Sequence, residues 1–295
     1  MRNENLLQSA PPDYRNNLKP AWCPGCSFYN VLFALTEMAS ERCIDPSKLI
    51  VVSGIGCSSR LPLYLSSFGL HTLHGRALPV AAGARMANPE IPVIVVAGDG
   101  DLFSIGTNHF IHAARKNINM TVLCMDNGMY AMTGNQTSPT SAEGYHGSLD
   151  PWGTVTAPLD VIRFAIACNA SFVARSVAAK PDHLRSIIGR AFDHCGFSFV
   201  EVVAPCRTFT HQPSGSSSRQ RLIDINTDKG HDPADEQSVC TVMEDAVITG
   251  AQSEDTLTTG VFREQRRPSY EELLAQQNPA KTGQSESTAQ ERFYI

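Results

Sequence analysis

The sequence predicts an α/β fold in which a mostly parallel sheet is covered by helices on both faces. Between about residues 17 and 210, short apolar runs alternate with longer amphipathic runs. The short runs are apolar at nearly every position, as strands buried on both faces are. Turns rich in glycine, aspartate and asparagine follow several of them, which is typical of strands that lead into helices.

The elements can be assigned in order from these runs. Strands are predicted at LIVVSGIG (49–56), IPVIVVAGDGD (91–101), MTVLCMDNG (120–128), SFVARSV (171–177) and FSFVEVVAPC (197–206). Helices are predicted directly after Cys26 and at ALPVAAGARMANP (77–89), LFSIGTNHFIHAARKN (102–117), LDVIRFAIACN (159–169) and PDHLRSIIGRAFDHC (181–195). The helix at 77–89 is expected to stop at Pro89, because a proline disrupts the interior of a helix.

The turns that carry chemically capable side chains all follow strands. In parallel sheets of this kind, ligands bind outside the carboxyl ends of the strands. The sequence therefore predicts that four turns meet at one rim of the sheet: Gly54–Cys57, Gly98–Asp101, Asp126–Tyr130 and Pro205–Cys206.

Composition divides the chain into three parts. Residues 1–18 are predicted to form an N-terminal arm, and residues 19–211 the α/β domain. Residues 212–295 are predicted to be an extended C-terminal tail that docks on the domain or on a partner subunit. The tail contains polar, linker-like runs such as PSGSSSRQR and NPAKTGQSESTAQER. Partial disorder is the alternative for these residues, because polar runs bury little apolar surface.

Charge and composition exclude several classes of partner. The net charge of −5 and the lack of a basic block interleaved with aromatics predict no nucleic-acid binding. No run approaches the roughly 18 apolar residues of a membrane span, and the start MRNENLLQSAPPDYRNN has no signal-peptide core. These features predict a cytoplasmic protein. Nine cysteines, an odd number, are then not expected to form a disulfide framework, and some are candidates for metal binding.

The turns Gly98–Asp101 and Asp126–Tyr130 contain the residues expected at a metal-bound diphosphate. Glycines at 98 and 100 let the backbone turn sharply and approach phosphate closely. The carboxylate of Asp99 and the amide oxygen of Asn127 are hard ligands of the kind Mg²⁺ takes together with phosphate oxygens. Gly100 and Asn127 are separated by 26 residues across a strand–helix–strand unit, a spacing that resembles the thiamine diphosphate fingerprint. Ordinary strand-capping turns are the alternative.

Four cysteines are candidates for a shared metal site. Cys23 and Cys26 form a Cys-x-x-Cys pair, and Cys57 and Cys206 follow strands at the predicted rim. Four thiolates would hold a [4Fe–4S] cluster, and a zinc ion is the chemical alternative. The other five cysteines lie in helix, strand or tail patterns and are interpreted as core or incidental thiols: Cys43, Cys124, Cys168, Cys195 and Cys240.

With both sets of residues in view, the chain resembles the β subunit of the 2-oxoacid:ferredoxin oxidoreductases. The resemblance covers about residues 19 to 207 and rests on WCPGC, GIGCSSR, HTLHGRALPVAAGARMANP, VVAGDGDLFSIGTNHFIHAARKN, DNGMYAMTGNQTSPT and VAPC. It implies a thiamine-diphosphate-binding fold. It also implies an α subunit that completes the active site, in a heterodimer or a dimer of heterodimers, and ferredoxin as the electron acceptor.

The reaction that the resemblance implies is the oxidative decarboxylation of a 2-oxoacid with coenzyme A as acyl acceptor. In YAMTGNQTSPT, Gly134 and Asn135 stand where some relatives that use several 2-oxoacids carry Lys-Gly. The pattern is closer to the 2-oxoglutarate type, so the expected reaction converts 2-oxoglutarate to succinyl-CoA. Pyruvate and branched-chain 2-oxoacids remain alternatives. Two further alternatives are a non-oxidative thiamine-dependent decarboxylase or synthase and a non-catalytic assembly or regulatory subunit.

The resemblance also implies roles for individual residues. His74 would donate to a phosphate or substrate oxygen, and Arg76 would pair with the substrate carboxylate, which makes both catalytic candidates. The implied Mg²⁺ ligands are Asp99, Asn127 and the backbone carbonyl of Met129, and the cluster ligands are the four cysteines at 23, 26, 57 and 206. The implied cofactor-binding residues are Gly56, Ser58, His74, Gly75, Gly98, Asp99, Gly100, Asp101, Asn127, Met129, Tyr130, Ala131, Met132 and Thr133.

Overall fold

A computed structural model describes residues 13–209, 221–244 and 256–277. Its strands are β1 (Ile50–Ser53), β2 (Phe68–His71), β3 (Val93–Gly98), β4 (Met120–Asp126), β5 (Met129–Tyr130), β6 (Gln136–Thr137), β7 (Phe172–Val177), β8 (Phe197–Val203), β9 (Arg221–Asp224) and β10 (Thr256–Glu264). Its α-helices are α1 (Phe28–Glu41), α2 (Ala77–Ala87), α3 (Asp99–Phe103), α4 (Thr107–Lys116), α5 (Val161–Ala167), α6 (Pro181–Asp193), α7 (Glu236–Glu244) and α8 (Tyr270–Gln277). Across these ranges no helix combines the length and apolar character that a bilayer crossing requires.

The main sheet is mostly parallel, which confirms the predicted fold class. Its strand order is β2-β1-β3-β4-β8-β7-β10-β9. The first six strands run parallel, β10 pairs antiparallel with β7, and β9 pairs parallel with β10. In the centre of the sheet Gly98 lies opposite Met125 and Asp126 lies opposite Val203. This register brings the carboxyl ends of β3, β4 and β8 side by side.

Helices cover both faces of the sheet, each over its own hydrophobic core. On one face α1 packs against α6, and its residues Val31, Leu32, Leu35 and Met38 repeat at helical spacing and are buried. On the other face α2, α4 and α5 form one core, in which the Phe110 ring of α4 contacts Phe164 of α5 and Phe199 of β8. Because every central strand is buried on both sides, its sequence has no polar face.

Two sequence interpretations in this region are wrong in detail. The Gly-Asp-Gly segment does not form a free turn, because Gly98 caps the five-residue helix α3. The predicted helix 102–117 is two helices, since α3 ends at Phe103 and α4 begins at Thr107. A Cβ at Gly106 would lie 2.4 Å from the Asp101 carbonyl oxygen, so the chain passes very close to the end of α3 here. A continuous amphipathic pattern does not reveal such a break.

The described parts of residues 212–295 dock on the domain. Strand β10 extends the sheet beside β7, and α8 is held by an ion pair between Arg85 and Glu271 with an N···O distance of 3.0 Å. The side-chain amide of Asn117 donates to the carbonyls of Arg267 and Pro268. The division into arm, domain and tail stays a prediction, and its residues 1–12, 210–220, 245–255 and 278–295 lie outside the described part of the chain.

Candidate active site

The predicted rim is formed where β1, β3, β4 and β8, which are neighbours in the sheet, end on the same side. A cavity of about 200 Å³ opens there. A second cavity of about 90 Å³ adjoins it, and the two share Phe28, Cys57, Asn127, Ala131 and Met132 in their walls. Residues from all four predicted turns line one or both cavities, which confirms that these turns converge.

Most residues singled out in the sequence line the larger cavity. Of the predicted cofactor-binding residues, all but Gly75 do so: Gly56, Ser58, His74, Gly98, Asp99, Gly100, Asp101, Asn127, Met129, Tyr130, Ala131, Met132 and Thr133. Of the two predicted catalytic residues, His74 lines the cavity, whereas Arg76 is not among its described lining residues. Sequence reasoning missed three apolar residues of the wall, Phe28, Ile55 and Met125. The functional roles of all these residues stay predictions.

Asp99 begins α3 and points toward the turn after β4. It is 2% exposed, its carboxylate accepts a hydrogen bond from the Asn127 backbone N–H at 3.4 Å, and its other oxygen lies 2.9 Å from the Thr140 hydroxyl oxygen. Burial raises the pKa of this carboxyl, and its hydrogen bonds oppose the rise. Asn127 also lines the cavity and accepts a hydrogen bond from the Met129 N–H through its side-chain oxygen. Two hard oxygen donors therefore lie together on the cavity wall.

Thr140 lies between two buried carboxyl groups. Its hydroxyl oxygen is 2.9 Å from Asp99 Oδ2 and 2.9 Å from Asp126 Oδ1. Burial, and then the neighbouring Asp99, raise the pKa of Asp126 well above its ordinary value. A hydroxyl has a single proton, so Thr140 donates to only one of these oxygens. A proton on Asp126 or a cation beside Asp99 would reduce the electrostatic repulsion between these two carboxyl groups.

The donor set at this rim fits a hard divalent cation that is shared with a phosphate group. Within the described ranges, no three His, Cys, Asp or Glu side chains are grouped closely enough to hold a metal ion by themselves. Mg²⁺ does not need such a group, since it is commonly held by one or two protein oxygens, phosphate oxygens and water. Asp99 and Asn127 provide two such oxygens, and Gly98 and Gly100 line the same cavity wall.

The smaller cavity is lined by all four cysteines of the predicted cluster site: Cys23, Cys26, Cys57 and Cys206. They come from distant segments that hydrogen bonds tie together. Trp22 Nε1 donates to the Cys57 carbonyl at 2.7 Å, and the Ser27 hydroxyl donates to the Pro205 carbonyl at 3.2 Å. Gly25, with φ of 73°, closes the Cys-x-x-Cys turn directly before α1. The other five cysteines line neither cavity.

The thiols of Cys26 and Cys57 lie close enough to the neighbouring cysteines for those residues to affect their pKa. Burial raises the pKa of Cys26 to about 11, and Cys206, Cys57 and Cys23 add to the rise. Burial likewise raises the pKa of Cys57, with contributions from Cys206 and Cys23. No three of these four thiols are grouped closely enough to hold one metal ion, so the cavity fits a thiolate-binding group larger than a single ion that supplies compensating positive charge. All nine cysteines lie in the described ranges, and none of them forms a disulfide.

Comparison with known proteins agrees with this geometry. Residues 54–202 match the family model described as thiamine pyrophosphate enzyme, C-terminal TPP binding domain. Subunit beta of 2-oxoacid:ferredoxin oxidoreductase 1 from Aeropyrum pernix is 36% identical over 274 residues, which cover 90% of this chain and 85% of the relative. The 2-oxoglutarate synthase subunit KorB from Archaeoglobus fulgidus is 46% identical over 198 residues, which cover 66% of this chain and 74% of the relative.

A solved structure is similar over almost the whole chain. It is the 2-oxoglutarate:ferredoxin oxidoreductase from Magnetococcus marinus with 2-oxoglutarate, coenzyme A and succinyl-CoA bound. The TM-score is 0.87 at 32% sequence identity, and the match covers 99% of this chain and 98% of the other. The similarity therefore extends through the C-terminal strands and is not limited to the domain that the family model matches.

Replacing the Thr140 hydroxyl is expected to destabilise the rim. In Thr140→Val, Asp99 Oδ2 loses the Thr140 hydroxyl while Asp126 Oδ1 keeps the Gly128 N–H, and losing a buried hydrogen-bond partner costs about 1–3 kcal/mol. We expect the free energy of unfolding, measured by urea denaturation, to fall by that amount. Thr140→Ser keeps the hydroxyl and is the matched control. Equal stability of the Val and Ser variants would contradict the hydrogen-bonding role.

The raised pKa of Cys26 predicts a steep pH dependence of its reactivity. Only the thiolate is alkylated readily, so the rate at Cys26 in metal-free protein should rise about tenfold per pH unit from pH 7 toward its pKa of about 11. Iodoacetamide labelling followed by peptide mass spectrometry measures this rate. The exposed Cys240 serves as internal reference for the reagent. A rate at Cys26 that levels off near pH 8 would contradict the effect of burial.

Proposed function

The chain belongs to the β subunits of the 2-oxoacid:ferredoxin oxidoreductases, and from that premise we propose that it converts 2-oxoglutarate and coenzyme A to succinyl-CoA and CO₂ together with an α subunit. The electrons pass to oxidised ferredoxin. The observation that carries the proposal is the pair of adjoining cavities, one with Asp99 and Asn127 in its wall and the other with four cysteines. An oxidative decarboxylase that reduces a one-electron carrier needs both sites next to each other.

The larger cavity suits thiamine diphosphate with Mg²⁺. When bound, this cofactor supplies the nucleophilic carbon and the electron sink for decarboxylation of a 2-oxoacid. Asp99 and Asn127 would hold the metal, with the Met129 carbonyl as third protein ligand. The Tyr130 ring fills the space that a Cβ on Gly100 would occupy, at 2.3 Å from Cε1, so a side chain at residue 100 would displace this ring. The Tyr130 hydroxyl donates to the Gly100 carbonyl at 3.2 Å, which fixes this wall.

The smaller cavity suits a [4Fe–4S] cluster held by Cys23, Cys26, Cys57 and Cys206. Such a cluster would accept one electron at a time from the neighbouring site. Arg60 and Arg207 also line this cavity, so their positive charges would partly offset the negative charge of four thiolates. Because Cys57 and Asn127 belong to both walls, the two groups would lie close together. The alternative, zinc, would give the site no redox role.

The choice of substrate rests on the relatives. Several that match this chain are named 2-oxoglutarate synthase subunits, and the similar solved structure contains 2-oxoglutarate and succinyl-CoA. Other relatives are named β subunits of 2-oxoacid:ferredoxin oxidoreductases. This supports an α subunit as partner, in a heterodimer or a dimer of heterodimers. Nine cysteines without a disulfide suit a reducing compartment, which supports a cytoplasmic location.

Substrate preference is tested with the purified αβ complex under anaerobic conditions. We expect coenzyme A-dependent reduction of ferredoxin or of a viologen dye to be fastest with 2-oxoglutarate. Pyruvate and a branched-chain 2-oxoacid are assayed at matched concentrations. A larger kcat/KM with either of them would replace 2-oxoglutarate as substrate, and CO₂ release without dye reduction would favour a non-oxidative enzyme.

The cluster assignment predicts a selective loss of iron. Cys206→Ala removes one of the four thiolates around the smaller cavity, so the variant should lose most of its iron and sulfide while it keeps bound thiamine diphosphate. Anaerobic metal and cofactor analysis measures both quantities. Cys240→Ala, an exposed position on α7, is the matched control and should retain iron. Full iron content in Cys206→Ala would assign the fourth ligand to another residue, and stoichiometric zinc in the unmodified protein would exclude the cluster.

A further inference from the structure

The carboxylate of Asp101 makes a set of hydrogen bonds that the metal and cluster sites do not use. Asp101 lies two residues after Asp99 in α3, and its side chain is 1% exposed. One oxygen, Oδ1, receives the backbone N–H of Gly75 at 2.7 Å and that of Ile55 at 3.2 Å. The same oxygen lies 2.8 Å from Nδ1 of His74. The loop at Ile55 and the loop at His74–Gly75 therefore both contact helix α3 through a single carboxylate oxygen.

These contacts fix which nitrogen of His74 carries the proton. An oxygen that accepts two backbone N–H groups acts as an acceptor, so Nδ1 of His74 must donate to it. A proton on Asp101 would reside on the other oxygen, Oδ2, which is buried and has no hydrogen-bond partner in the described part of the chain. The assignment thus holds whether or not Asp101 is ionised.

The backbone around Asp101 is shaped to keep this carboxyl in place. A Cβ at Gly54 would lie 1.8 Å from Asp101 Oδ2, so a side chain there would displace the carboxyl. Gly75 has φ of 67°, and a Cβ on it would lie 2.3 Å from the Ile105 side chain. Glycine at both positions lets the loops after β1 and before α2 close over the carboxylate.

We propose that Asp101 is a positioning residue for His74: it holds Nδ1 as the protonated nitrogen and leaves Nε2 for the substrate. The imidazole lines the larger cavity, with its side chain 39% exposed and the Tyr130 ring 6.0 Å away between centroids. Because Nδ1 donates to Asp101, Nε2 of the neutral ring is an acceptor, so it takes a hydrogen bond or a proton from a hydroxyl group in the cavity and donates to a 2-oxoacid oxygen only after it has gained a proton. This inference rests on the proposed function, and it gives His74 one defined orientation.

A double-mutant cycle in the αβ complex tests whether Asp101 acts through His74. Asp101→Ala removes the acceptor of His74 Nδ1, whereas Asp101→Asn keeps an oxygen for Nδ1 and for the two backbone N–H groups and is the matched control. We expect Asp101→Ala to lower kcat about tenfold, Asp101→Asn to lower it less, and His74→Ala to lower kcat about 10²-fold, the size of a lost acid–base group. In the His74→Ala background, Asp101→Ala should cost less than twofold. Independent, multiplying effects would overturn the proposal, as would equal losses in Asp101→Ala and Asp101→Asn.

A second measurement does not depend on enzyme activity. In the full chain labelled with ¹⁵N-histidine, long-range ¹H–¹⁵N correlation spectra distinguish the two neutral tautomers, and His74→Gln identifies the His74 signal. We expect the Nδ1–H tautomer in the unmodified chain and a shift toward the Nε2–H tautomer in Asp101→Ala. An Nε2–H tautomer in the unmodified chain would overturn the proposal. An αβ complex that oxidises no 2-oxoacid would instead reject the proposed function, with the tautomer result standing by itself.

Discussion

The burial of acidic side chains where the central strands end is the constraint on which the rest of the site depends. Asp99, Asp126 and Glu201 are each less than a tenth exposed, and burial raises the pKa of all three. Glu201 is compensated by Arg175, whose Nε lies 2.6 Å from its carboxylate. Glu201 is also hydrogen-bonded to Asp126. The acidic charge that remains uncompensated is therefore concentrated at the cavity wall, beside Asp99.

This arrangement connects the C-terminal residues to the site. Arg175 is fully buried, and its guanidinium donates to the Thr258 carbonyl on β10 and lies 5.8 Å from the centroid of the Phe262 ring. Without β10 this guanidinium would be at the edge of the sheet, where water would weaken its pairing with Glu201. The docking of β10 thus belongs to the electrostatics of the rim as well as to the packing of the sheet.

Whether a segment's structure could be predicted from the sequence depends on which of its faces are buried. The central strands were predictable because burial on both faces makes them continuously apolar, and the four turns were placed correctly because parallel strands end at one rim. The edge strand β2 was missed, since all four of its residues are exposed and its pattern resembles a loop.

Thr140 was missed because no periodic pattern marks a loop hydroxyl. Its one signal was the Ser-Pro-Thr-Ser run that follows the acidic-amide turn. Strand β10 was missed because the polar segments around it led to the whole region being interpreted as a tail. Its sequence, TLTTGVFRE, is nevertheless rich in residues that favour strands.

The short helix α3 explains why the segment Gly-Asp-Gly-Asp carries two carboxylates with different partners. Residues two apart on a helix point to nearly opposite sides. Asp99 therefore faces β4 and meets the turn at Asn127, whereas Asp101 faces β1 and meets the loops at Ile55 and Gly75. Since β3 lies between β1 and β4 in the sheet, the helix that follows β3 can reach both neighbours. A free turn would not fix these two directions, so the helical start at Gly98 separates the Asp99 side of the cavity from the His74 side.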